Sequence, residues 1–62
     1  MFWNWRANRE AFEREVIVEV EYLRRLHGEE AARVAREKAA RPGQRTLRRK
    51  VLEAAAARLE HG

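Results

Sequence analysis

Residues that break helices stand at only three places in this 62-residue chain. Gly28, the pair Pro42-Gly43 and Gly62 account for all of its glycines and its single proline. Glycine and proline are the residues least compatible with a helix interior, whereas alanine and arginine, the two commonest residues here, favour it. The pattern predicts helical segments separated by turns at Gly28 and at Pro42-Gly43. As an alternative, the first two segments form one long helix kinked at Gly28.

Apolar side chains recur at helical spacing between these turns. In the first segment, about residues 4–27, they follow one another at intervals of four and three: Phe12, Val16, Val20, Leu23 and Leu26. In the third segment, from Gln44 or Thr46 to Glu60, the corresponding stripe is Leu47, Val51, Ala55 and Leu59. The second segment, residues 29–41, carries a stripe of alanines and Val34. Helices that bury one face have this periodicity, and Ile17 is expected to join the same core.

These segments predict an all-α, three-helix mini-domain over residues 1–62, preceded by an aromatic arm at residues 1–5. An alternative remains for residues 16–22, where β-branched residues alternate with glutamates. A strand there has no second strand in the chain, so it would pair with a copy of itself, in the element order of the ribbon-helix-helix repressors. Its polar face would aim carboxylates at DNA, so we interpret a ribbon as a dimerisation mode only.

The residue types that most enzymes need are scarce. The chain has no Cys, Ser or Asp, so it offers no serine or cysteine nucleophile and no thiolate metal ligand. Its two histidines, His27 and His61, are far apart and fit no metal-ligand spacing. The paired glutamates are expected to be solvated helix surface: Glu19 with Glu21, and Glu29 with Glu30. We therefore expect no enzyme, cofactor, metal or small-molecule substrate.

His27 and Gly28 mark the predicted end of the first helix. A glycine in a left-handed turn commonly ends a helix, and a cation is favourable in its last turn. We interpret His27 as part of this helix end. A pH-dependent switch or an interface contact is the functional alternative.

Charge is distributed unevenly along the chain. The formal charge is +4, with −2 over residues 1–32 and +6 over residues 33–62. The basic half contains a run of cations at the start of the third helix: Arg45, Arg48, Arg49 and Lys50. The helix dipole opposes cations there, so they need acidic partners. Glutamates of the first helix, in this chain or a sister subunit, are preferred over nucleic acid because the run has no aromatic residue for base stacking.

Three of the five aromatic residues lie at the N-terminus, namely Phe2, Trp3 and Trp5, with Phe12 one heptad after the last of them. These side chains suit core packing, an anchor in a protein interface or an anchor at a membrane surface. Anionic lipid would repel the glutamates that follow, which disfavours the membrane. No signal peptide or membrane-spanning run is recognisable, so a cytoplasmic location is expected.

The leading prediction is a non-enzymatic protein–protein interaction module or small accessory subunit. Chains of this size bury a small core and usually need a further source of stability, so self-association into a homo-oligomer is expected. Phe2, Trp3, Trp5 and Phe12 are the candidate anchors, and the basic run is the candidate for ion pairs. The alternatives are nucleic-acid binding through residues 41–50 and membrane association through the aromatic N-terminus.

Tyr22-Leu23 and Leu26-His27-Gly28 are followed by alanines at every fourth position from Ala31, a glycine-containing turn and a Leu/Ala helix. This stretch, about residues 18–60, resembles small uncharacterised helical proteins of high-GC alphaproteobacteria. The resemblance implies a bacterial, cytoplasmic, helical protein and supplies no biochemical activity.

Overall fold

The computed structural model describes the backbone of residues 5–61 and the side chains of residues 8–61. Helix α1 spans Trp5–His27, helix α2 spans Ala31–Ala39 and helix α3 spans Thr46–His61. The all-α prediction is confirmed, and no strand occurs within residues 5–61.

A single turn of 3₁₀-helix, Gly28–Glu30, joins α1 directly to α2. The chain therefore forms two helical stretches, residues 5–39 and 46–61, divided by one loop, where the sequence predicts three helices divided by two turns. Gly28 adopts a φ of 55°, in the left-handed region expected of it, and Gly43 in the loop has a φ of 84°. The first predicted turn is thus a change of direction between two helices with no loop residue between them.

Residues 16–22 lie in the middle of α1, so the ribbon alternative is wrong. A helix pairs its own backbone groups, whereas a strand at this position has no partner strand within the chain. Helix is favoured over strand by Val16, Val20 and Leu23, which share one helix face and are all buried. The β-branched character of the stretch is a weaker influence than this burial.

The core is small and rich in alanine. It is formed by one cluster of buried residues from all three helices: Val16, Val20, Leu23, Ala31, Ala35, Val51, Ala55 and Ala56. Phe12, Val34 and Leu59 pack against its edge and are partly buried. Helix α3 lies against both other helices, and alanines on α2 and α3 line their contact. Small side chains allow these two helices to approach closely.

Three residues predicted to be in the core are exposed instead: Ile17 by 44%, Leu26 by 56% and Leu47 by 65%. At about 100° per residue, Ile17 and Leu26 lie roughly 100° and 80° from Val16 around α1. The buried face of α1 is narrower than that spread, because α2 and α3 cover only the sector that contains Val16, Val20 and Leu23. Leu47 lies in the first turn of α3, one turn before the core begins at Val51.

Two ion pairs join α1 to α3. Glu13 pairs with Arg58, and Glu19 pairs with Arg48. These two glutamates lie about 60° to either side of Val16 around α1. The two ion pairs therefore bracket the line along which α3 crosses α1.

Candidate interaction surfaces

Helix α1 has a second apolar stripe that the core does not use. Val18, Tyr22 and Leu26 follow one another at intervals of four residues, which keeps them on one side of the helix. Their exposed fractions are 61%, 50% and 56%. We call these three residues the outer face of α1. Large apolar side chains grouped on the surface of a small protein are typical of interaction sites.

The ring of Tyr22 is held from one side. The ammonium nitrogen Nζ of Lys38, in α2, lies 5.6 Å from the centre of the Tyr22 ring. A cation over an aromatic face is attracted by the electron density of the ring. The contact orients Tyr22 before any partner arrives, while half of the side chain stays exposed. Tyrosine is also among the residues that contribute most in protein interfaces.

Charged residues border the outer face, among them Arg14 beside Val18. Glu15 lies at its N-terminal end and Arg25 at its C-terminal end, and both are exposed. Neither forms an ion pair with any residue whose side chain the structure describes. Both charges are therefore available to a partner that lies along this face.

A second apolar surface is the groove between the N-terminal parts of α1 and α3. Its volume is about 390 Å³, and its apolar lining is Ala11, Phe12, Leu47 and Val51. Asn8 and Arg9 lie at the rim. Phe12, a predicted anchor, is half-buried here and packs against the core. The groove is wide open to solvent and adjoins the outer face at Glu15.

Glu19 was expected to be solvated and is buried instead, with 6% of its surface exposed. Arg48 forms an ion pair with it, with Nη1 2.9 Å from Oε1, while Oε2 is buried without a hydrogen-bond partner among the described residues. Glu19 lies on the flank of α1 over which α3 passes, so docking of α3 removes it from water. The other glutamates of the predicted pairs, Glu21, Glu29 and Glu30, are exposed as expected.

The residues of the basic run fall into two groups, one with a carboxylate partner and one without a partner among the described side chains. Arg48 pairs with a first-helix glutamate, which is the kind of partner that the charge pattern predicts. Arg45, Arg49 and Lys50 are exposed and form no ion pair within the described side chains. Arg41, in the loop, is also exposed. One end of the molecule therefore presents several cations to solvent.

The remaining predicted site residues do not come together. Phe2 and Trp3 lie outside the described residues, and nothing is described of the Trp5 side chain. His27 is half-buried at the end of α1 and makes no side-chain hydrogen bond to the helix start that follows it. Within residues 8–61 no three potential metal ligands cluster. No helix in the described part of the chain has the length and apolar character needed to span a bilayer.

Sequence reasoning missed two features of these surfaces. The outer face is visible in the sequence as a second spacing of four, from Val18 to Tyr22 to Leu26, but the alternation of residues 16–22 drew attention to a strand. Gln44 was the other omission. Its Nε2 donates to the backbone oxygens of Lys38 and Ala39, at 2.6 and 3.0 Å, and thereby caps the last turn of α2.

Comparison of the chain with protein-family models, with curated proteins and with solved structures finds no match. The resemblance to alphaproteobacterial helical proteins stays a prediction.

Proposed function

We propose that this chain is a non-enzymatic protein–protein interaction module that self-associates. The outer face of α1 carries the proposal. One side of α1 already fills the core, yet the helix presents Val18, Tyr22 and Leu26 to solvent on another side. An isolated 62-residue domain gains no stability from apolar side chains left in water, whereas a partner that covers them adds it.

The alanine-rich core supports the same proposal. Among residues 8–61, only Val16, Val20, Leu23, Val51 and Leu52 contribute large side chains that are fully or almost fully buried. Each alanine removes less apolar surface from water than a leucine or valine, so the intramolecular core is a modest source of stability. Association adds burial that the chain cannot obtain alone.

Concentration dependence tests the proposal. The melting temperature of the native chain is expected to rise with protein concentration, because a dimer is favoured by mass action. Sedimentation equilibrium over the same concentrations is expected to show a species of twice the monomer mass or more. A monomer at every concentration, with a constant melting temperature, contradicts self-association.

A matched pair of variants locates the surface. Leu26 and Leu47 are both exposed leucines on helices, by 56% and 65%, but only Leu26 belongs to the outer face. Leu26→Gln is expected to weaken association about tenfold, since it replaces an apolar contact with a polar amide. Leu47→Gln is the control and is expected to leave association unchanged. A larger loss of association with Leu47→Gln than with Leu26→Gln would place the interface at the groove instead.

A specific observation favours nucleic-acid binding as a second candidate function. Arg41, Arg45, Arg49 and Lys50 are exposed, and none has a carboxylate partner among the described residues. Phosphates would satisfy them, with an affinity that falls steeply as salt rises. Arg45→Ala with Arg49→Ala is expected to reduce binding to a fluorescent duplex or RNA at low salt. No binding of the native chain under those conditions contradicts this candidate.

A further inference from the structure

The outer face of α1 has the pattern of a surface that pairs with itself. Val18 and Tyr22 lie two residues before and two residues after position 20, and Glu15 and Arg25 lie five residues before and after it. A two-fold axis through the midpoint of two antiparallel helices brings residues at equal distances from that midpoint opposite each other. Residues before the midpoint in one copy then meet residues after it in the other.

We propose, on the basis of the self-association proposed above, that the partner of the outer face is a second copy of this chain, bound with its α1 antiparallel. In this arrangement Val18 of each copy packs against Tyr22 of the other. Glu15 of each copy lies opposite Arg25 of the other, which forms two identical ion pairs. Leu26 packs beside the aliphatic stem of Arg14, which lies six residues on the other side of the midpoint.

Charge complementarity selects this occupant. Glu15 and Arg25 are the charges at the two ends of the face, and neither is paired with a described residue. A parallel arrangement would place Glu15 against Glu15 and Arg25 against Arg25, and like charges directly opposite each other are unfavourable. The antiparallel arrangement converts both repulsions into attractions.

The fixed ring of Tyr22 fits the same role. Lys38 lies 5.6 Å from the centre of the ring, and this cation–π contact favours one orientation of Tyr22. The exposed half of Tyr22 is left for the β-branched side chain of the opposite Val18. An aromatic ring against a β-branched side chain is a favourable contact.

Charge reversal tests the pairing. Glu15→Arg alone and Arg25→Glu alone are each expected to weaken the dimer at least about tenfold, because each places like charges opposite each other twice. An equimolar mixture of the two single variants is expected to restore association, since every Arg then faces a Glu. The variant that carries both substitutions restores the same pairs and is expected to dimerise by itself. Sedimentation equilibrium measures all of these species.

Matched controls come from the same helix. Glu10 and Arg24 are exposed and lie about 120° or more from Tyr22 around α1. Glu10→Arg and Arg24→Glu change the net charge by the same amounts, and they are expected to leave the dimer intact. Helix content by circular dichroism verifies that all variants fold.

Two failures are distinguishable. A native chain that is monomeric at every concentration overturns self-association and this pairing together. A native dimer whose stability is unchanged by charge reversal at Glu15 and Arg25 overturns the antiparallel pairing alone. Single reversals that weaken the dimer without recovery in the mixture also overturn it.

Discussion

Glu19 is a carboxylate in the part of the molecule where water is excluded. Its single described partner is Arg48, whose own side chain is about half exposed. The second oxygen of Glu19 is buried without a donor. Burial of a charge is costly unless an opposite charge or hydrogen bonds compensate it. Arg48 therefore stabilises the protein mainly by compensating the buried charge of Glu19.

Replacement of Arg48 is therefore expected to be worse than replacement of Glu19. Arg48→Met leaves a buried carboxylate unpaired and is expected to lower the free energy of unfolding by about 2 kcal/mol. Glu19→Met removes the charge and fills similar space, so its effect is expected to be within about 1 kcal/mol of zero. Chemical denaturation of both variants, and of the double variant, measures the difference.

The double variant tests whether Arg48 acts through the carboxylate of Glu19. With Glu19 already replaced, Arg48→Met is expected to cost little. An equal cost of Arg48→Met in both backgrounds would show that Arg48 acts through packing rather than through the carboxylate.

At the scale of the elements, Gly28 determines where α1 ends and α2 begins. Its φ of 55° lies in the left-handed region, which side chains with a Cβ disfavour. A Cβ added at Gly28 would contact no atom within 4 Å, so backbone conformation is the single cost of adding one. A substitution at Gly28 therefore reports the conformational cost alone, without a steric clash.

Gly28→Ala is expected to destabilise the protein by about 1 kcal/mol through this conformational cost. Gly28→Asn is the control and is expected to cost less, because asparagine tolerates the left-handed region better than alanine does. Thermal or chemical unfolding of the two variants measures the ranking. A Gly28→Ala variant that is as stable as the native chain would contradict the left-handed conformation of residue 28.

The Arg36–Glu60 ion pair joins α2 to the end of α3. Arg36 donates from Nε and Nη2 to the two carboxylate oxygens of Glu60, at 2.8 and 2.6 Å. These hydrogen bonds, together with the positive charge of Arg36, lower the pKa of Glu60 against the opposing effect of burial. The two-pronged geometry fixes the relative orientation of the helices better than a single contact does.

The lowered pKa of Glu60 gives this link a pH dependence. Its stabilisation is complete above the ordinary glutamate pKa of about 4.3 and is lost as the pH falls through the lowered value. The native chain is expected to melt at a higher temperature than Glu60→Gln at pH 7, and the difference is expected to disappear by about pH 2. A difference that persists in acid contradicts the ion pair.

Element boundaries were largely predictable from the sequence, and burial was less so. Gly28 and Pro42-Gly43 indicate both breaks in the helices because backbone preference is local. The exposure of Leu26 and the burial of Glu19 depend on the angle at which α3 crosses α1, which no local pattern specifies. Sequence spacing places residues on a helix face, but only the packed neighbours determine which part of that face meets water.

At the scale of the whole molecule, charge and apolar side chains lie on different parts of the described surface. The opposite charges of the two halves meet partly inside the chain, through Glu13 with Arg58 and Glu19 with Arg48. Arg45, Arg49 and Lys50, which have no ion-pair partner among the described side chains, lie near the start of α3, whereas the outer face lies on α1. The sequence predicted the imbalance of charge, whereas the division between internal and available charges required the fold.

The alanines buried between α2 and α3 have a thermal consequence. A methyl side chain has no rotamers to lose on folding and adds little newly hydrated apolar area on unfolding. The heat capacity change of unfolding is therefore expected to fall below the usual value of about 12–15 cal/mol/K per residue. A small heat capacity change flattens the curve of stability against temperature, so the free energy of unfolding is expected to change little on cooling, which scanning calorimetry with denaturation at several temperatures measures.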